Sequence, residues 1–211
     1  MTPFLVALTG PSGSGKTSLA RAIGETFDDG ACALLSLDSY YRDLSHLTDD
    51  EREAVNFDRP DALDSARFLA DLAELRAGRA IEVPAYDFAT HTRSPRGQRL
   101  QPAPVVLVEG IFALAWPGAA AMFDLKVYVD LEADTCLERR LARDADERGR
   151  HEAEVRRRFE EHVRPSLAVF VEPQRDLCDL VLPGLAALDE MARSCLARLP
   201  QISRRRGRVP A

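Results

Sequence analysis

Five short apolar runs, Phe4–Thr9, Cys32–Leu37, Val105–Glu109, Leu125–Asp130 and Leu180–Leu182, recur along the chain with longer stretches between them. Runs of this length with little polar alternation predict strands buried on both faces, and their alternation with helices predicts a parallel sheet covered on each side. Phe68, Leu72 and Leu75, with Leu69 beside them, form one apolar stripe that Asp64 can cap and Gly78 can stop. A core-facing helix is expected there. Leu137 and Leu141, then Val155, Phe159 and Val163, carry the same periodicity farther on. Ile81–Leu100 breaks the pattern with short alternating stretches around Pro84, Pro95 and Gly97. It predicts a hairpin or loop inserted outside the sheet, over about residues 80–102. In an α/β sheet, an excursion at the carboxyl edge is where a second substrate sits.

Between the first strand and the first helix the chain reads GPSGSGKT: Gly10, Pro11, Ser12, Gly13, Ser14, Gly15, Lys16 and Thr17, followed by Ser18. This spacing lets successive backbone N–H groups converge on phosphate oxygens at a helix N-terminus. Lys16 would reach the terminal phosphates, and the Thr17 hydroxyl would hold a magnesium ion. Lys16 is one of only two lysines, with Lys126, among 28 basic residues. A compact ammonium suits a crowded phosphate cradle better than a planar guanidinium. The loop alone leaves the reaction open, since switches, motors and small-molecule kinases share it.

The 211 residues, 45% of them apolar, are enough to bury one full core, and a single domain over about residues 1–200 is expected. A net charge of −6 argues against general binding to nucleic acid or anionic membranes. The first apolar run is too short to span a bilayer and has no basic leader, so it reads as a core strand. Cys32, Cys136, Cys178 and Cys195 stand far apart with no metal-ligand spacing, which suits a reducing cytoplasm. The closing SRRRGRVPA, with Arg204, Arg205, Arg206 and Arg208, reads as a solvated tail over about residues 201–211 rather than an RNA contact.

Two strands end in carboxylates: the second runs into Asp38 and the sequence SYY, the third into Glu109 and Gly110. Both acids would stand at the same edge as the phosphate loop. Phosphoryl transfer needs such a pair, one to help hold a metal and one to orient or accept the proton of an attacking hydroxyl. Arg139, Arg140 and Arg143 fall three or four apart on a helix, and the charged DADERGR that follows, with Arg148 and Arg150, reads as a surface turn or as a lid over about residues 143–152.

Taken with the phosphate loop, the segments DSYYRDL, NFDRPDALD, PAYDFATHTR, VVLVEGIFAL, RRLARDADERGR and CDLVLP, in this order, resemble the uridine-cytidine kinases of the phosphoribulokinase and uridine kinase family of P-loop kinases. The resemblance runs from the loop to about Pro183. It implies a five-stranded parallel sheet, a β-hairpin substrate insertion and an arginine-bearing lid. It implies transfer of phosphate from ATP or GTP, with Mg2+, to the 5′-hydroxyl of uridine and cytidine, in pyrimidine salvage in the cytoplasm, by a homo-oligomer that is often a tetramer.

Residue by residue, the resemblance implies that Asp38 is the base or positioner for the hydroxyl, while Thr17 and Glu109 hold magnesium. Asp58 would accept from the ribose diol, and Tyr86, Phe88 and His91 would form the base pocket that Tyr41 and Phe57 help enclose. Arg140, Arg143, Arg148 and Arg150 would divide between transferring phosphates and the sugar. At two places the chain departs from the family. Arg158 stands where many relatives carry Gln, and it would bring a cation to the sugar or face solvent. Pro183-Gly184-Leu185 stands where PRG is usual, which touches the contact of that loop with the donor base. Rival readings are a kinase of the same fold acting on ribulose 5-phosphate or another riboside, and a nucleotide-dependent switch that is not a kinase.

Overall fold

The five apolar runs pair into one parallel sheet in the computed structural model, which describes residues 2–148 and 151–201. They are β1 (Phe4–Thr9), β2 (Cys32–Ser36), β5 (Val105–Glu109), β6 (Leu125–Asp130) and β7 (Leu180–Pro183), in the order β2-β5-β1-β6-β7. β3 (Ile81–Asp87) and β4 (Thr92–Leu100) form a separate antiparallel hairpin. Register brings the working ends together: Leu8 and Ser36 both pair with Glu109, and Thr9 pairs with Tyr128. The carboxyl ends of the strands therefore form a single rim.

Helices cover both faces. Along β1, Leu5 and Ala7 join Val106, Val108 and Tyr128 in a core closed by Phe68, Leu72 and Leu75 of α3 (Ser65–Arg76). Val6 and Leu8 point the other way, to Leu19 and Ile23 of α1 (Lys16–Gly24) and to Met191 and Cys195 of α7 (Leu188–Leu196). Period-two alternation with both faces apolar gives the continuous hydrophobic runs seen in the sequence. The α3 stripe starts where the Asp64 carboxylate accepts from the Arg67 amide at 3.2 Å, and it stops before Gly78, which has a φ of 75°.

After α2 (Asp49–Glu53), which opens with a capping box between Thr48 and Glu51, come α4 (Ala133–Arg148), α5 (Glu152–Arg158) and α6 (Arg164–Ser166). π-helical turns at Phe159–Val163 and Leu167–Val171 flank α6. Phe159 and Val163 pack on Cys136 and Leu137 of α4, as their spacing predicts. The stretch read as a turn or lid is helical in backbone through Arg148, and residues 149–150 lie outside the described residues, as does the tail from residue 202.

All four cysteines are free, and burial pushes the thiols of Cys32, Cys178 and Cys195 up to about 12 and that of Cys136 to about 11. Among the described residues, no helix is long and apolar enough to cross a membrane.

Candidate active site

The phosphate loop leaves β1 through a turn that only glycine fits. Gly10 has a φ of 131°, and a Cβ placed on it would stand 2.3 Å from the Val129 carbonyl oxygen. Gly15, also at positive φ, opens α1. Lys16 is buried, and its ammonium donates to the Pro11 carbonyl at 2.6 Å, so the charge is held within the loop's own curve. Thr17 and Ser18 are exposed at the first turn of the helix.

The two strand-end acids stand on the same rim. Glu109, buried, accepts from the Ser36 hydroxyl at 2.7 Å, which ties neighbouring strand ends together. Asp38 lies one residue into the 3₁₀ turn Leu37–Tyr40 that follows β2. That turn gives the SYY sequence its two directions. Tyr40 goes to the core against Phe68 and donates to Asp71, whereas Tyr41 faces the cleft. Burial drives the Tyr41 phenol well above its usual range, and the charges of Asp38 and Asp58 add to the rise.

One cleft brings together Ser12 of the loop, Asp38, Asp58 and Arg140, and the ring cluster Tyr41, Phe57, Tyr86, Phe88 and His91. The rings pack on one another: Phe57 and His91 stack at 4.3 Å between centroids, Tyr41 and Tyr86 lie 5.4 Å apart, and Tyr86 and Phe88 meet edge-on at 5.1 Å. The Tyr86 hydroxyl is 3.2 Å from His91 Nδ1, and burial pushes its pKa to about 12, so the phenol keeps its proton at neutral pH. His91 takes a left-handed φ of 55° at the hairpin tip, where its carbonyl accepts from the Leu44 amide.

Asp58 is aimed by its own turn. The Asn56 side chain accepts from the Asp58 amide at 3.0 Å, and the Ser166 hydroxyl donates to the Asp58 carbonyl. Across the cleft, Arg140 stands 3.6 Å from Asp58 and 3.8 Å from Asp144, beyond hydrogen-bond distance of both. Its Nε is buried with no hydrogen-bond partner among the described residues. A guanidinium so placed retains donors for a third group.

Four contributors were not read as such in the sequence. Arg93 staples the hairpin to the turn after β2 and to the cap of α3, donating to the Tyr41 and Tyr40 carbonyls at 2.7 and 2.8 Å and to Asp64 at 3.2 Å. Gln174, buried, accepts from Thr9 and Leu114 and donates to the carbonyls of Ile111 and Phe170, tying the end of β1 to the segment that follows β5. His162 lines the cleft one turn beyond Arg158. Arg139 bonds to the phosphate loop. Arg158 itself lines the cleft while paired with Glu154 at 3.0 Å, so it does not simply face solvent. The side chains of Arg143 and Arg148, and all of Arg150, lie outside the described residues.

A family model described as Phosphoribulokinase / Uridine kinase family matches residues 5–189. The uridine kinase of Lactococcus lactis subsp. cremoris is 42% identical over 180 residues, covering 85% of this chain and 87% of that protein. That of Chloroflexus aurantiacus is 42% identical over 182 residues, covering 86% and 87%. Among solved structures, the phosphoribulokinase from Rhodobacter spheroides matches with a TM-score of 0.57 at 16% identity, over 88% of this chain and 73% of that one, a likeness of fold.

Proposed function

Because this chain belongs to the phosphoribulokinase / uridine kinase family and is a phosphotransferase with an alcohol acceptor, we propose that it phosphorylates the 5′-hydroxyl of uridine and cytidine, with ATP or GTP as donor. The observation that carries this reading is one cleft lined by Ser12 of the phosphate loop and Asp38 together with five aromatic or imidazole rings. A pyrimidine riboside is a flat base and a hydroxyl held a fixed distance apart by a sugar. In this reading the base lies among Tyr41, Phe57, Tyr86, Phe88 and His91. Asp58 accepts from the ribose diol, and Arg140 donates to the sugar or to the arriving phosphoryl group.

Asp38 then orients the 5′-hydroxyl and takes its proton as the oxygen–phosphorus bond forms and the bond to the β-phosphate oxygen breaks. Lys16 offsets charge on the terminal phosphates, joined by the lid arginines Arg143, Arg148 and Arg150. Most of the acceleration comes from alignment, because the transition state is loose. For magnesium the residues fit. The exposed Thr17 hydroxyl and the Ser36-bound Glu109 carboxylate are hard oxygen donors at the loop's edge. A bound Mg2+ would supply charge neutralisation to the donor phosphates. By resemblance alone, the reading extends to pyrimidine salvage in the cytoplasm by a homotetramer.

Asp58→Ala is expected to raise the acceptor KM about 10- to 100-fold, the range for a hydrogen bond to a charged group, with the donor KM unchanged. Steady-state kinetics with either substrate varied will show it. His91→Ala is expected to shift the uridine-to-cytidine ratio of kcat/KM by about 10-fold, and equal losses for both would remove His91 from the base edge. The reading as a whole is tested by ADP release with uridine, cytidine, other ribosides, ribulose 5-phosphate or no acceptor. Release that needs a pyrimidine riboside supports it. Release driven best by the sugar phosphate, or running without an acceptor, favours the rival kinase or the switch.

A further inference from the structure

Arg139 and Arg140 are adjacent on α4 but point to different places. Arg140 faces Asp58 in the acceptor cleft. Arg139 turns to the donor side, where one guanidinium bridges two loops: Nη1 donates to the Gly13 carbonyl and Nη2 to the Gly184 carbonyl, each at 3.1 Å. The three segments are closely packed at this junction. A Cβ placed on Gly13 would lie 3.4 Å from the Cys136 carbonyl oxygen, and one on Gly184 would lie 3.1 Å from the Ser14 carbonyl oxygen. Gly184 is in turn tied to the end of β6 through its amide and the Asp130 carbonyl at 2.6 Å. The charges of Arg139 and Lys16 both act on the Cys136 thiol beneath the loop, opposing the rise that burial causes.

We propose that Arg139 is a positioning residue of the donor site, locking the phosphate loop to the loop after β7 so that the cradle is already formed when the nucleotide arrives. This rests on the functional reading above, in which the donor phosphates occupy that loop. The chemistry requires arginine. A planar fork can donate to two carbonyls from separate loops at once, whereas an ammonium is one point of charge on a flexible stem. Arg139 is exposed, and exposed hydrogen bonds add little to global stability. The benefit falls on binding, because a cradle held in shape does not have to be ordered by its ligand.

The test compares Arg139→Ala and Arg139→Lys with the wild-type enzyme for MgATP and MgGTP affinity by calorimetry, for both KM values and kcat, and for Tm. Loss of the fork is expected to weaken donor affinity and raise donor KM about 10-fold. The acceptor KM should stay within about twofold, and Tm should fall by no more than about 4 °C. Lysine should not restore the donor KM. Unchanged donor affinity in Arg139→Ala, full rescue by Arg139→Lys, or both KM values rising together with a large fall in Tm would each overturn the proposal. If the wild-type enzyme binds neither nucleotide, the functional reading fails first and this inference fails with it.

Discussion

Asp38→Asn is expected to lower turnover by about 10²- to 10⁴-fold while leaving donor affinity near that of the wild type. The substitution keeps the shape of the side chain but removes its charge and its ability to take a proton. Asp38 stands at the start of the turn after β2 and lines the same cleft as Ser12 of the phosphate loop. Its charge is close enough to Tyr41 to help raise that phenol, and the amide removes this influence too. Fold and cradle are not at risk, because the turn is anchored by Leu37 and Tyr40, both buried. Rapid-quench measurement of a single turnover, alongside nucleotide titration, separates the two effects. A near-normal chemical step would remove Asp38 from its role.

Lys16→Met should cost about 10²- to 10³-fold in kcat, the usual loss on removing one positioned group that meets charge developing in the transition state. Methionine is apolar and of similar length, so it can occupy the buried channel without forcing the loop open. The Pro11 carbonyl loses its 2.6 Å partner, but it also accepts from the Ser14 amide at 3.2 Å and so stays satisfied. The loop should therefore hold its shape while losing its cation. Lys16→Arg is expected to fail as well, since a planar fork does not fit where one ammonium is enclosed. Measured kcat with saturating donor is the check, and an Arg variant with normal kcat would contradict the crowding argument.

The sheet was legible because strands covered on both faces are continuous apolar runs, as β5 is from Val105 to Val108 before it ends in Glu109, and α3 because one stripe ends at an acid cap and a glycine. The phosphate loop was legible because its backbone geometry demands glycine at fixed places, Gly10 above all. The hairpin was visible as a change of period and by its prolines. What holds that hairpin in place was not. Arg93 reaches Tyr40 and Tyr41 across about 50 residues, and Gln174 reaches Thr9 across 165. Such ties join a side chain to a distant backbone or hydroxyl and leave no periodic trace. In a chain so rich in arginine, the roles of Arg93 and Arg139 were hidden among many similar residues.

The π-helical turns at Phe159–Val163 and Leu167–Val171 were invisible for another reason. Val155, Phe159 and Val163 satisfy ordinary helical spacing, and one widened turn hardly disturbs that pattern. The consequence is local to the site. The first of these turns contains His162, which lines the cleft beside Arg158 and which spacing alone did not single out.

The end-to-end meeting of a nucleoside hydroxyl and a triphosphate is tested most directly by 31P NMR of the product formed from uridine and MgATP. The account predicts one new phosphomonoester resonance, split by the two 5′ protons of the ribose, with ADP formed in equal amount, and no such product from 5′-deoxyuridine. A phosphate coupled to a 2′ or 3′ proton, or inorganic phosphate beside ADP with no phosphomonoester formed, would contradict it.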